Sequence, residues 1–412
     1  MNINEGKYDH KYDEKNESDS HTTYWNVKAM VDQKRRSKQE VTREADDIQE
    51  AAQLLAKGGI VAFPTETVYG LGADARSTTA VEAVFIAKGR PADNPLIVHI
   101  ANHMQLDEIV TEVHPVAAAL MEAFWPGPLT LVLPLRDGVL SPRVTAGLDT
   151  VGVRMPDHPV ALQLIAESGC PIAAPSANRS GRPSPTLADH VMEDLEGRID
   201  GILDGGPTGV GLESTVVQVQ TNGEIVVLRP GGITTEQLSQ VEGVVIHSDL
   251  AFSQSASEED IVPTSDALEG TDLFQISNTD RDSSLAPRSP GMKYTHYAPR
   301  GTLSIVKGSS PQIVADWVIT RLDEAVSYGE IVGIMFFDEH KGLYQDHPNL
   351  CMVSMGPLSS LEAVAHSLYA GLRQLDEAGI TFILAEACPE VGLGTAVMNR
   401  LSKAAGGRVI LV

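Results

Sequence analysis

Cationic residues stand beside glycines and prolines at several points of this chain, next to strand-like apolar runs. Lys88 and Arg90 are two residues apart in a segment that Gly89 and Pro91 constrain, and Arg229 precedes a Pro-Gly-Gly turn. A lysine and an arginine held in this way suit a triphosphate, because the guanidinium donates in a fixed fork and the ammonium supplies a compact charge. Since α/β folds place ligands at strand ends, this pattern predicts a site for a phosphate-bearing ligand there.

Two further segments suit anionic groups. Arg154 ends an apolar strand-like run, where it can donate to a carboxylate or a phosphate; a surface salt bridge is the alternative interpretation. The segment 172–181 combines small residues with Asn178 on a tight path, which is typical of backbone anion cradles. The sequence shows neither a metal-ligand spacing nor a nucleophile triad. It therefore predicts chemistry by positioning and charge neutralisation, without a covalent intermediate.

The elements that must position these residues alternate between helical and strand-like patterns. A helical segment from Glu44 ends at Gly58-Gly59, and a strand-like run over 60–63 follows it. The alternation continues to two strand-like runs around Asn222-Gly223, which is a hairpin signal. This pattern predicts a mixed α/β domain with a largely buried sheet over residues 46–235.

The segments that flank this domain differ from it in composition. Residues 1–45 are polar and charged with no sustained apolar period, which predicts a flexible extension that carries no chemistry. Residues 236–300 are predicted to form a linker. Between Asp249 and Pro287 it holds nine acidic residues and one basic residue, and it ends in an aromatic and basic segment, SPGMKYTHYAP, for which we expect a contact.

Apolar runs after the linker predict a second α/β domain over 301–412. Its clearest element is a helix over about 358–378, in which leucines and other apolar residues recur at helical spacing and form a core-facing stripe. The pair Gly392 and Gly394 resembles the start of a nucleotide-binding loop, but Val397 occupies the position of the third glycine. The segment does not predict a cofactor site.

The bulk composition excludes several classes of protein. Three cysteines lie far apart, which predicts reduced thiols instead of a disulfide framework or a zinc site. The polar N-terminus and the lack of a long apolar run predict a cytoplasmic protein. The formal charge of −24 disfavours a broad nucleic-acid surface, although a local basic cleft is compatible with it.

Six segments of the first domain occur in this order: PTETVYGLG, AKGRPADNPLIVH, FWPGPLTLVLP, VGVRMPDHP, APSANRSG and GLESTVV. Together they resemble the Sua5/YrdC/YciO family. The linker segment SPGMKYTHYAP and the C-terminal AVMNRLSKAAGGRVI resemble its two-domain form, so the resemblance covers about 46–412. It implies a YrdC-like α/β domain, with a twisted, open mixed sheet and a concave cavity, joined by the linker to a smaller Rossmann-like α/β domain.

The resemblance also implies an activity. Family members join L-threonine, bicarbonate and ATP to give threonylcarbamoyl-AMP and pyrophosphate, which is a nucleotidyl transfer, and Mg²⁺ accompanies the ATP without a dedicated cage of protein ligands. Other proteins then transfer the threonylcarbamoyl group to an adenosine of ANN-decoding tRNAs. Because the chain is strongly acidic, we expect little or no direct binding of tRNA.

Residue roles follow from the same resemblance. Around L-threonine it places Thr67, His99, Arg154, Ala174 and Ser214, with Arg154 as the partner of the carboxylate and Tyr69 helping to shape the pocket. To ATP it assigns Arg90, Asn94, Thr150, Ser176, Ser184, Arg229 and Tyr297, with Tyr297 closing over the nucleotide from the linker. The predicted catalytic group is Lys88, Arg90 and Asn178, beside the reacting phosphates and carbamate.

Two other functions are compatible with parts of the sequence. A carbamoyl-adenylate maturase of the hydrogenase type uses a related domain, but it adds acylphosphatase and cysteine-rich zinc regions that three isolated cysteines do not supply. An RNA-binding or ribosome-assembly module of the YrdC type is the non-enzymatic alternative. Such a module binds phosphate backbones through lysine and arginine, and the net charge of −24 disfavours it.

Overall fold

The computed structural model describes residues 21–31, 38–247, 296–344, 347 and 350–412. Within them the chain forms an eleven-stranded mixed sheet and a separate five-stranded sheet. The α/β class predicted from the sequence, with one large mixed sheet and a second smaller unit, is confirmed. The acidic stretch of the linker lies outside the described residues.

The first sheet extends across the N-terminal half of the chain. Its strands are β1 Thr23–Asn26, β2 Val61–Phe63, β3 Gly70–Asp74, β4 Ile97–His99, β5 Leu129–Pro134, β6 Thr150–Arg154, β7 Ile172–Ala173, β8 Gly201–Asp204, β9 Thr215–Val219, β10 Glu224–Arg229 and β11 Val245–Ile246. They lie in the order β1-β8-β2-β3-β7-β4-β6-β5-β9-β10-β11. The parallel pairs include β4 with β6 and β5 with β9, while β5 and β6 are antiparallel.

Nine described helices accompany this sheet. They are α1 Lys28–Val31, α2 Lys38–Ala56, α3 Thr78–Lys88, α4 His103–Ile109, α5 Pro115–Phe124, α6 Pro142–Thr145, α7 Pro159–Ser168, α8 Ala188–Leu195 and α9 Thr235–Ser239. Several of these helices begin and end as their sequences dictate. Ser77 caps the N-terminus of α3 by accepting from the backbone N–H of Ala80, and Gly89 ends the helix in the left-handed region at a φ of 61°.

The second sheet is entirely parallel. Its strands are β12 Thr302–Lys307, β13 Val332–Phe336, β14 Cys351–Ser354, β15 Phe382–Glu386 and β16 Val409–Leu411, in the order β14-β13-β15-β12-β16. The helices are α10 Pro311–Ser327, α11 Leu361–Glu377 and α12 Leu393–Ala404, with a short 3-10 helix at Asp338–Leu343. The helix predicted over 358–378 is therefore confirmed as α11.

The N-terminal segment differs from the expectation of a flexible extension that ends at residue 45. Strand β1 pairs in parallel with β8, and α2 already begins at Lys38. The Trp25 side chain is 5% exposed and packs in a buried cluster with residues of α2 and α7. A four-residue strand shows too short an alternation to be recognised in a polar sequence. Residues 1–20 lie outside the described residues.

Two further features bear on the class of protein. Among the described helices, none is both long and apolar enough to cross a membrane. All three cysteines are free, and Cys170 and Cys388 are buried.

Candidate functional site

A pocket of about 760 Å³, including its opening to solvent, lies in the first domain under the end of the linker. It is formed where the loop before β3, the end of α3, the ends of β4, β6 and β10, and the start of β9 meet. Most of the residues predicted for the site line this pocket: Thr67, Lys88, Arg90, His99, Arg154, Ala174, Ser176, Asn178, Ser214, Arg229 and Tyr297. The fold therefore brings together side chains that are up to 230 positions apart, from Thr67 to Tyr297.

Lys88 occupies a buried corner of the pocket. It is the last residue of α3, and its Nζ donates to the backbone carbonyls of Ser176 and Asn178, the latter at 2.5 Å. Burial, with the nearby charge of Arg90, lowers the pKa of Lys88 well below its usual value. The contacts fix the ammonium against the loop that follows β7.

Arg90 lies on the same side of the pocket, directly after the end of α3. Its Nη2 donates to the backbone carbonyl of Pro95 at 3.2 Å. Burial lowers the pKa of Arg90 to about 10, so the guanidinium stays charged at neutral pH. Lys88, Arg90 and Arg229 thus place three basic side chains around one cavity, which suits a ligand that carries several negative charges.

Arg154 lines the pocket at the end of β6. Its Nη1 donates to Thr67 Oγ1 at 2.9 Å, and its Nη2 forms an ion pair with Glu66 Oε2 at 2.5 Å. The alternative interpretation from the sequence was a surface salt bridge of Arg154. A salt bridge is present, but it is buried, since the side chain of Arg154 is 5% exposed. A substrate carboxylate at Arg154 would share this guanidinium with Glu66.

His99 faces Arg154 across the paired strands β4 and β6. Burial and the charge of Arg154 lower the pKa of His99 to about 3. The imidazole is therefore neutral at physiological pH, and it can accept or donate a hydrogen bond without adding charge to this side of the pocket.

Arg229 and Ser214 form the wall at β9 and β10. Nη2 of Arg229 donates to the Ser214 carbonyl at 3.0 Å and to its Oγ at 3.1 Å, and Thr130 Oγ1 lies 2.8 Å from the same hydroxyl. This wall also contains Glu213, which the predicted site did not include although it lies in the quoted GLESTVV segment. The predicted site also lacked His296, which lines the pocket, and Glu66, which forms the ion pair with Arg154.

Glu213 is buried and accepts hydrogen bonds from two domains. Ser184 Oγ donates to its Oε1 at 2.6 Å, and from the second domain Arg400 Nε donates to its Oε2 at 2.9 Å. Burial alone would raise the pKa of Glu213, but the charges of Arg400 and Arg229 and the Ser184 hydrogen bond outweigh burial and lower it to about 2. The carboxylate is ionised.

Four predicted residues do not line this pocket. Tyr69 is fully buried, and its hydroxyl donates to the backbone carbonyl of Gly206 at 2.7 Å. Thr150 lines a smaller neighbouring cavity that shares Pro95, Leu96 and Ile97 with it. Ser184 and Asn94 are fully buried behind the wall. The sequence pattern could not separate lining residues from those one layer behind, because both occur in the same glycine- and proline-rich loops.

The linker contributes the upper side of the pocket through His296 and Tyr297. Tyr297 is 6% exposed, its ring centroid lies 5.2 Å from that of Tyr369, and its φ of 67° is rare for a bulky residue. The preceding part of the SPGMKYTHYAP segment, residues 289–295, lies outside the described residues. Tyr297 therefore lines the pocket, and its closure over the nucleotide stays a prediction.

The fold and the pocket define a two-domain α/β protein with a cation-lined site for small anionic ligands. A family model for Sua5/YciO/YrdC proteins, described as "Telomere recombination", matches residues 53–231, and the model for "Threonylcarbamoyl-AMP synthase, C-terminal domain" matches residues 233–406. The chain belongs to the Sua5 family in its two-domain form.

Relatives and solved structures agree with this assignment. The threonylcarbamoyl-AMP synthase of Bacillus subtilis strain 168 is 50% identical over 90% of this chain and 96% of its own length. The protein of the same name from Pyrococcus abyssi is 43% identical over 88% and 95%, respectively. The crystal structure of P. abyssi Sua5 complexed with L-threonine superposes with a TM-score of 0.76 at 40% identity, covering 95% of this chain and all of that one.

Proposed function

We propose that this chain forms threonylcarbamoyl-AMP and pyrophosphate from L-threonine, bicarbonate and ATP. The observation that supports it most is one pocket lined by Lys88, Arg90 and Arg229 and also by Arg154, which lies beside Thr67 and neutral His99. Such a set of basic groups can bind a polyphosphate and a small carboxylate substrate in one cavity. The similarity to threonylcarbamoyl-AMP synthases along nearly the whole chain supports the same reaction.

The proposed threonine subsite uses Arg154 for the carboxylate and the hydroxyl of Thr67 for a polar group of the substrate. Ala174 and Val68, which also line the pocket, offer apolar contact to the threonine methyl group. Serine lacks that methyl group, and one methyl in an apolar contact contributes about tenfold to specificity. The subsite thus accounts for a preference for threonine over serine.

The proposed nucleotide subsite uses Lys88, Arg90 and Arg229 against the phosphates. In-line attack of a carbamate oxygen on the α-phosphorus needs positioning and charge neutralisation, which fixed cations in a buried site supply.

Mg²⁺ is part of this proposal as a companion of ATP. No group of three or more His, Cys, Asp or Glu side chains that could hold a metal ion occurs among the residues that the structure describes. Mg²⁺ is commonly held by substrate phosphates and water with few protein ligands. We propose that it enters with the triphosphate, and that the two α/β units correspond to the concave YrdC-like and the Rossmann-like domain of the family.

The direct test is an assay of pyrophosphate release. Purified chain with Mg·ATP, bicarbonate and L-threonine should release pyrophosphate and yield a threonylcarbamoyl-AMP mass, whereas serine in place of threonine should lower the rate about tenfold. Omission of threonine or of bicarbonate is the control. Pyrophosphate release that does not depend on threonine would contradict the proposed reaction. In the proposed reaction, the product threonylcarbamoyl-AMP is used by other proteins that modify tRNA.

A further inference from the structure

The second domain reaches the wall of the pocket at the loop that precedes β9. Gly211 has a φ of 79°, and a Cβ added there would lie 2.4 Å from the Cα of His366 in α11. Two residues later, the carboxylate of Glu213 accepts a bifurcated hydrogen bond from the Tyr369 hydroxyl of α11, which lies 3.0 and 2.9 Å from its two oxygens, and a hydrogen bond from Arg400 of α12 at 2.9 Å. The backbones of the two domains are therefore in direct contact beside a pocket residue.

Arg400 has a second contact in the first domain. Its Nη1 donates to the backbone carbonyl of Pro230 at 2.6 Å, and Pro230 directly follows Arg229. Arg400 is fully buried. One side chain of the second domain thus holds both the carboxylate of Glu213 and the turn that follows Arg229.

The charges around Glu213 determine how its contact with Arg400 affects Arg229. Glu213 is the one carboxylate among the described residues that line the pocket, and both Arg229 and Arg400 act on its charge. Opposite charges at close range in a buried site attract strongly. If Arg400 were absent, Glu213 would turn to Arg229 and would neutralise a cation that a phosphate group otherwise uses.

We propose that Arg400 and Tyr369 are positioning residues for the nucleotide half of the pocket: they hold Glu213 on the second domain's side and so leave Arg229 free to bind ATP. This inference rests on the proposed function in taking ATP as the ligand. It assigns the second domain a part in the site, because two of the three side chains that donate to the Glu213 carboxylate among the described residues are Tyr369 and Arg400, and the third is Ser184. The geometry needs no contact of either residue with substrate.

The experiment is a double-mutant cycle on the full chain, read out by calorimetric binding of Mg·ATP. Arg400→Met should weaken ATP binding at least about tenfold, because it leaves Glu213 to compete for Arg229. Glu213→Gln removes the competing charge. In the double variant the loss caused by Arg400→Met should therefore largely disappear.

Arg373 provides the matched control for Arg400. It is also a buried arginine from the second domain, and it donates to Asp194 at 2.8 Å and to the carbonyl of Pro183 at 2.6 Å. Because the charge of Arg373 also acts on Lys88, Arg373→Met can lower both the melting temperature and ATP affinity, but Glu213→Gln should not reverse its loss of affinity. Losses of ATP affinity that simply add in the Arg400→Met, Glu213→Gln double variant, or a loss in Arg373→Met that Glu213→Gln also removes, would overturn the proposal.

Tyr369→Phe keeps the ring and serves if Arg400→Met does not fold. It should weaken ATP binding several-fold, and Tyr344→Phe is its control, because Tyr344 donates to a buried carboxylate, Glu386, within the second domain. Equal effects of the two tyrosine variants on ATP binding would refute the inference. ATP binding needs no turnover, so a chain without threonine-dependent pyrophosphate release would reject the proposed function and still allow this test.

Discussion

At the scale of single residues, the basic groups of the pocket differ in their anchors. Arg154 is held by Glu66 and Thr67, while Lys88 and Arg229 are fixed by backbone carbonyls. Because each guanidinium is buried and already oriented, it loses little freedom when a ligand binds. We propose a separation of tasks, with Arg154 binding threonine and Arg229 binding ATP.

This separation predicts opposite effects of two substitutions. Arg154→Ala should weaken threonine binding by about 10- to 100-fold and leave ATP binding nearly unchanged, since one charged hydrogen-bonding partner contributes about 1.5–3 kcal/mol. Arg229→Ala should do the reverse. Calorimetric titration of each variant with each ligand measures both constants. Equal losses for both ligands in either variant would show that the two tasks are not separate.

At the scale of elements, α11 lies close to the loop before β9. Gly211→Ala should disturb this contact, since its Cβ would lie 2.4 Å from the Cα of His366 and neither backbone can move away cheaply. We expect weaker docking of the second domain, seen as faster cleavage between the domains in limited proteolysis.

The matched control for this change is Gly138→Ala. Gly138 has a similar φ of 74°, but nothing lies within 4 Å of an added Cβ. Both variants carry the strain of an alanine in the left-handed region, about 1 kcal/mol, so only the difference between them reports the contact with α11. If limited proteolysis cleaves both variants between the domains at the same rate, α11 accommodates the added methyl group at position 211 without weaker docking of the second domain.

Strand β1 is the element that the sequence pattern missed, and it makes a testable contribution to stability. Trp25→Ala should destabilise the first domain by about 3–5 kcal/mol, because it empties a buried site between α2 and α7. Tyr328→Ala is the control, since Tyr328 is 80% exposed and its loss should cost less than about 0.5 kcal/mol. Urea unfolding followed by circular dichroism measures both. If Trp25→Ala lowers the free energy of unfolding as little as Tyr328→Ala does, packing of β1 does not stabilise the first domain.

At the scale of the whole molecule, several buried histidines make stability depend on pH. Burial lowers the pKa of His99 to about 3 and of His158 and His190 to about 4. In the unfolded chain these groups have pKa values near 6.5 and bind protons first as the pH falls. Protonation therefore favours unfolding, and stability is lost as the pH falls from about 6.5 towards 4.

The expected observation is a melting temperature that declines over this pH range. His158→Asn should flatten the decline, since it removes one group that contributes up to about 1.4 kcal/mol per pH unit. His103→Asn is a suitable control because His103 is not buried. If the slope of melting temperature against pH is the same in both variants, His158 does not contribute to acid unfolding.

The sequence by itself determined the α/β class, helix α11 and most of the residues that line the pocket. Short loops of glycine, proline and cationic residues beside strands are local sequence patterns, which can be recognised without the tertiary structure. The family resemblance, carried by the same loops, supplied the reaction.

Only the tertiary structure decided which of these residues face the pocket and what holds them. Thr150, Ser184 and Asn94 belong to the right loops, but packing places them outside the main pocket. The partnership of Glu213 with Arg400 joins residues 187 positions apart in different domains. No local pattern encodes such a contact, because it depends on how two separately folded sheets dock against each other.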